Sequence, residues 1–229
     1  MNSSIVKVML GCCFVFLLQC SSCTSSSLLK DGERILFFGD SITQLGVKPN
    51  GFITLMGDSL SKRFTSTQLI GGGISGNRVP DLQKRLRTDV LDKKPTVVFI
   101  YIGINDVWHF ALNGHGTPIQ EYDAGLREMC SIIGYYGARV ILCTPTVIGE
   151  KYDSSNVQDK LLNEYCGVTR TVAKDLRIQL CDLRTAFIEY LRAHNPENKD
   201  RGILTYDSVH LSDEGNRLVA QEMLKSLGN

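Results

Sequence analysis

The chain has 229 residues, 43% of them hydrophobic and 21% charged, with 25 Lys+Arg against 24 Asp+Glu. That length gives one domain with a sizeable core and excludes two full ones. The charge balance excludes bulk electrostatic attraction to nucleic acid or an anionic membrane surface, and the hydrophobic fraction excludes a disordered chain.

Cysteine usage divides the chain. Of the eight cysteines, Cys12, Cys13, Cys20 and Cys23 crowd into the first 23 residues. Lys7 is the only charge before Lys30, and Val8 to Leu18 form an apolar-plus-glycine run of 11 residues. A membrane span needs about 18 such residues or more, whereas ~7–15 suit the core of a secretory signal peptide. The small pair Ser21-Ser22 before Cys23 resembles the cleavage box of bacterial lipoproteins, in which the cysteine becomes the lipidated first residue. Cys20, after Leu17-Leu18-Gln19, is the rival acceptor, and simple secretion after cleavage near Ser22 to Ser27 is the alternative. Residues 1–27 are thus expected to be an export segment and tether, and residues 28–229 the mature domain. This places the protein in the bacterial envelope (periplasm or outer membrane) or outside the cell, touching membrane only through an N-terminal lipid. The other four cysteines, Cys130, Cys143, Cys166 and Cys181, are widely spaced inside apparent helices and strands and read as buried free thiols.

From Arg34 onward, short apolar runs alternate with longer helical patterns. The predicted strands are Ile35-Leu36-Phe37-Phe38, Gln68-Leu69-Ile70, Thr96 to Ile102, Arg139-Val140-Ile141-Leu142-Cys143 and Ile178-Gln179-Leu180-Cys181. Continuous apolar runs mark strands covered on both faces, as in a parallel sheet. The predicted helices run from Phe52 to Arg63, Val79 to Leu91, Ile119 to Tyr136, Val157 to Leu176, Arg184 to His194 and Ser212 to Leu227. The alternation predicts an α/β fold, a three-layer α/β/α sandwich around a five-stranded, doubly wound parallel sheet.

Ligands in such sheets bind beyond the carboxyl ends of the strands. The residues there are Gly39-Asp40-Ser41, Gly71 to Asn77, Gly103-Ile104-Asn105-Asp106, Thr144-Pro145-Thr146 and, beyond the fifth strand, Asp207-Ser208-Val209-His210. Ser41 in its turn presents a hydroxyl beside free backbone N–H groups, as a nucleophile with an oxyanion donor requires. The same Gly-Asp-Ser turn also reads as an ordinary helix cap. Asp207, three residues before His210, can hold one imidazole nitrogen while the other faces a serine. Asn105 offers a side-chain N–H to an oxyanion.

In these four blocks, taken in order, the chain resembles the SGNH or GDSL-type hydrolases, whose fold is flavodoxin-like. The blocks are F-F-G-D-S-I-T-Q, G-I-S-G-N, G-I-N-D and D-S-V-H, with Ile42 where the older family name expects leucine. The resemblance implies a catalytic set of Ser41, His210 and Asp207, and an oxyanion hole formed by the N–H groups of Ser41 and Gly76 and the side chain of Asn105.

Other patterns compete with this assignment. Gly71 to Gly76 fits the dinucleotide fingerprint G-x-G-x-x-G, but after the second predicted strand rather than the first. Ser75 lacks the G-x-S-x-G context because residue 77 is Asn77. Asp106-Val107-Trp108-His109 is a second D-x-x-H beside the site; the family pattern favours His210. Trp108 and His109 are then read as substrate-pocket lining, with Asp40 beside them. His115 is expected in a loop bordering the cleft or in solvent, and His194 on the surface near a helix end.

The resemblance and the predicted export together imply a serine esterase acting through an acyl-enzyme on a carbohydrate O-acetyl ester. A lysophospholipase or thioesterase is the enzymatic alternative. A glycan-binding module without turnover is the alternative of another class, and the intact Ser41, Asn105, Asp207 and His210 set argues against it. No metal, cofactor or nucleic acid is expected; the partner is a small-molecule or carbohydrate ester.

Overall fold

The computed structural model describes residues 29–228. The export segment, with its lipidation candidates Cys20 and Cys23, lies outside the described residues.

The apolar runs become β1 (Arg34–Gly39), β2 (Gln68–Gly73), β3 (Val97–Tyr101), β4 (Arg139–Cys143) and β5 (Gln179–Cys181). They form one sheet in the order β2-β1-β3-β4-β5, every neighbouring pair parallel. β3 is buried along its whole length and β1 and β4 nearly so, which is why they read as continuous apolar runs. The edge strands are more exposed, and β2 continues through Gly73 where its apolar signal stops at Ile70. At the centre, the rings of Phe37 and Phe99 stack in register across β1 and β3 at 5.2 Å.

The expected helices appear as α2 (Phe52–Leu60), α3 (Val79–Asp89), α5 (Ile119–Tyr135), α6 (Asp159–Asp175), α7 (Leu183–His194) and α8 (Asp213–Ser226). Two further helices, α1 (Ser41–Gly46) and α4 (Ile104–Asn113), occupy segments read from the sequence as turns and loop. Right-handed crossovers place α2 on one face of the sheet, and α3, α5 and α6, packed each on the next, on the other. α8 packs on α2 and α7 and completes the first layer. The strand order reverses direction between β1 and β3, so a crevice opens beyond their carboxyl ends. Ser41 follows β1 there, and Asn105 follows β3.

Cys130, Cys143, Cys166 and Cys181 are buried free thiols. Burial pushes the Cys130 and Cys166 thiols up to about 12, so they stay protonated and inert.

Candidate active site

β1 ends at Gly39, and α1 starts two residues later. A Cβ on Gly39 would sit 2.2 Å from the Tyr101 carbonyl oxygen and 2.3 Å from Thr43 Oγ1, so only glycine permits this turn. Asp40 caps the new helix, its Oδ1 accepting the Ile42 N–H at 3.0 Å. Ser41 is the first helical residue, and its own N–H has no intrahelical acceptor and no other among the described residues. The cap and the half-buried serine are therefore one device rather than rival readings.

His210 arrives on the loop between α7 and α8, closed at its base by an antiparallel bridge from Thr205 to Leu211. Within it, Asp207 Oδ1 accepts the N–H groups of Val209 (3.1 Å) and His210 (2.7 Å). Asp207 Oδ2 lies 2.7 Å from His210 Nδ1, and His210 Nε2 lies 2.9 Å from Ser41 Oγ. Burial pushes the Asp207 carboxyl up, but the hydrogen bonds from the His210 side chain and from the His210 and Val209 backbone outweigh it. The result is a carboxyl held below the ordinary range. An ionised carboxylate at that position orients the ring, with Nδ1 as donor and Nε2 as acceptor toward the serine. The ring of Tyr206 lies within 17° of parallel to the imidazole, 5.8 Å away.

Opposite the serine, Asn105 is 5% exposed at the start of α4, and its Nδ2 donates to the Asn77 carbonyl at 3.1 Å. One amide hydrogen is thereby fixed, and the second is available to a ligand. Gly76 adjoins Asn77 in the turn after β2, with φ +76° and nothing within 4 Å of where a Cβ would stand. Glycine is needed there for the backbone conformation rather than for space, and its N–H has no acceptor among the described residues.

The rival motifs separate on geometry. Asp106 is fully buried, and its Oδ1 accepts the Val79 N–H at 3.0 Å, tying α4 to α3. No hydrogen bond joins it to His109, so the second D-x-x-H is not a catalytic pair in the structure. Gly71, Gly72 and Gly73 are paired inside β2, and Gly73 meets the backbone of α1; they form no phosphate-binding loop. Ser75 donates its N–H to Gln44 Oε1 at 2.9 Å. His115 is exposed, as is His194, whose ring stacks on Tyr190 in the last turn of α7. Asp40, expected in the substrate wall, is instead 2% exposed, with its Oδ1 turned to the cap of α1. Trp108 is half-buried and lines a cavity beside the Asp207–His210 loop, whereas His109 does not line it. Among the described residues, no group of His, Cys, Asp and Glu could hold a metal ion.

Two residues the sequence did not single out support the site. Arg85 on α3 donates from Nε to Asn77 Oδ1 (2.7 Å) and from Nη2 to the Gly39 carbonyl (2.7 Å). Its Nη1 serves the Gly72 carbonyl (2.9 Å) and Asp89 (2.8 Å). Glu150, fully buried, gathers the N–H groups of Ile203, Leu204 and Thr205 and the Thr205 hydroxyl at the base of the histidine loop. Neither stands in a recognisable motif. Arg85 sits between other basic residues on α3 and Glu150 is followed by Lys151, so no sequence signal set either apart.

The five-stranded parallel sheet flanked by helices on both faces is the α/β/α fold of the SGNH-type hydrolases. The model of the GDSL-like lipase/acylhydrolase family matches residues 37–218, and the chain belongs to that family. An acetylxylan esterase of Geobacillus stearothermophilus is 31% identical over 218 residues, covering 86% of this chain and 94% of that one. An isoamyl acetate-hydrolyzing esterase 1 homolog of Rattus norvegicus is 29% identical over 213 residues, covering 86% and 81%. Among solved structures, the acetyl xylan esterase AlAXEase superposes with a TM-score of 0.82 at 46% identity, covering 84% of this chain and 98% of that one. The protein is a carboxylic ester hydrolase.

Proposed function

We propose that this esterase removes O-acetyl groups from carbohydrate, with Ser41 as nucleophile, His210 as general base and acid, and Asp207 as its orienting carboxylate. The observation that carries the reading is the continuous relay from Asp207 Oδ2 through both imidazole nitrogens to Ser41 Oγ, at 2.7 and 2.9 Å. His210 Nε2 takes the Ser41 proton as Oγ attacks the ester carbonyl. The developing oxyanion is met by the N–H groups of Ser41 and Gly76 and by the free amide hydrogen of Asn105. As the bond between the carbonyl carbon and the sugar oxygen breaks, His210 gives its proton to that oxygen, leaving acetyl on Ser41. Water, deprotonated by the same nitrogen, releases acetate.

The acyl group is supported by the relatives. One is named for acetylated xylan and another for isoamyl acetate, and the acetyl group is what those substrates share. The signal-peptide and lipobox pattern of residues 1–27 supports export to the envelope, where polysaccharide esters are met. The test is acetate release from a panel of acetylated xylo-oligosaccharides and other acetylated sugars. Release that disappears in Ser41→Ala supports the reading; hydrolysis of lysophospholipids or acyl thioesters with none of any acetylated sugar rejects it.

A further inference from the structure

We infer that a cavity of about 230 Å³ beside the histidine loop is the subsite for the glycosyl ring that leaves with the alcohol oxygen, and that it selects a neutral sugar. This rests on the carbohydrate reading above and specifies its alcohol side.

The cavity is lined by Trp108, Asn156, Gln158, Asp200 and Ser208, with Ile148 at its apolar edge. Its position follows from chain geometry. Ser208 lies between Asp207 and His210. Trp108 lies three residues after Asn105 on α4, hence on the same face of that helix. The cavity therefore lies between the segment that carries His210, through Ser208 and Val209, and the helix that begins at Asn105, through Trp108.

Its chemistry suits a sugar. The half-buried face of Trp108 offers a flat apolar platform for the C–H face of a pyranose ring. Asp200 accepts the Ser208 hydroxyl at Oδ2 (2.7 Å) and forms no salt bridge among the described residues, so its Oδ1 can accept a sugar hydroxyl. The Gln158 side chain has no cap hydrogen bond at the start of α6 and can both donate and accept. Ser208 holds φ at +80°, a conformation rare outside glycine, and its hydroxyl is held by Asp200. No Lys or Arg lines the cavity, and the one ionised group is a carboxylate. Phosphorylated sugars and uronic acids are disfavoured, and the small polar walls do not suit a long acyl chain.

The test compares kcat/KM on an acetylated neutral xyloside with kcat/KM on 4-nitrophenyl acetate, which carries no sugar. In Trp108→Ala and Asp200→Ala, the loss on the xyloside is expected to exceed the loss on nitrophenyl acetate by about tenfold or more, chiefly through KM. Trp108→Phe, which keeps an aromatic face, recovers part of that difference. Gln158→Ala gives the same selectivity with little structural risk, which guards against a folding defect in the other variants. Equal losses on both esters overturn the subsite. So does a selective loss in Tyr206→Ala but in none of these variants, which moves the sugar to the other side of His210. If the wild type cleaves nitrophenyl acetate but no acetylated sugar, the carbohydrate reading itself fails, and the two failures are told apart.

Discussion

Arg85 Nε donates to Asn77 Oδ1 at 2.7 Å, while the carbonyl of the same Asn77 receives the side-chain amide of Asn105 at 3.1 Å. The same guanidinium holds the carbonyls of Gly39, two residues before Ser41, and Gly72, and stands 4.4 Å over the ring of Phe38. One planar fork thus sets the spacing between the turns that carry Ser41, Gly76 and Asn105.

Lysine cannot reproduce that fork, since it presents a single point of charge. Arg85→Lys is therefore expected to lower kcat about tenfold or more while KM changes little, as for loss of transition-state positioning. Steady-state kinetics on nitrophenyl acetate check this. A variant that loses thermal stability but keeps kcat would make Arg85 a purely structural residue.

Glu150 performs the corresponding task for the histidine. Its two oxygens accept three backbone N–H groups and one hydroxyl from Ile203 to Thr205, which end two residues before Asp207. In Glu150→Gln an N–H₂ group must face at least one of those donors. A buried donor left without an acceptor costs about 1–3 kcal/mol. Chemical denaturation should show a loss of that size together with reduced kcat, and unchanged stability would contradict the role.

Asp40 gives the fold a pH signature. Burial, aided by the nearby charge of Asp106, raises its carboxyl from 3.8 to about 7, and burial raises Asp106 to about 6. Both groups bind protons more readily in the folded than in the unfolded chain. Their contribution to stability is therefore present below the unfolded value of 3.8 and is lost as pH rises through about 6 to 7. Asp40→Asn keeps an acceptor for the Ile42 N–H without the charge. Unfolding free energies at about pH 5 and pH 8 should differ less in the variant than in the wild type, by an amount on the order of 1 kcal/mol or more. An equal or larger difference in the variant would count against this assignment.

Asp207→Asn tests the relay at its far end. The amide preserves size but can present an N–H to Nδ1, which favours the tautomer whose Nε2 faces the serine as a donor. The expected loss in kcat is about 10²–10⁴-fold, with KM little changed. Retention of more than about a tenth of wild-type kcat would show that Asp207 is dispensable for orienting the ring.

The strands and long helices were legible because their burial has a simple periodic signature. β1, β3 and β4 are covered on both faces, and α8 presents Val219 and Met223 to the core. The short helices were not. α1 has only six residues and begins directly at the functional turn, so Ser41-Ile42-Thr43 carries no helical period to detect. α4 begins just after a strand, and its first turn is occupied by site residues rather than by an apolar stripe. The Ser41, Asp207 and His210 set was readable because each lies in a compact block at a strand end or in a three-residue spacing. Arg85 and Glu150 were not, since their roles consist of contacts to backbone groups distant in sequence. Between His210 and His109, which both follow an aspartate by three residues, the family pattern favours His210, and the structure adds that Asp106 is committed to the Val79 N–H while His210 Nε2 faces Ser41 Oγ.

Ser41, activated by His210, is proposed as the nucleophile. The most direct test of this is reaction with a fluorophosphonate followed by mass mapping of the adduct. A single adduct is expected on Ser41, absent in Ser41→Ala, strongly slowed in His210→Ala and little affected in His109→Ala. An adduct on another residue, or a His109→Ala variant that fails to react while His210→Ala labels normally, would contradict it.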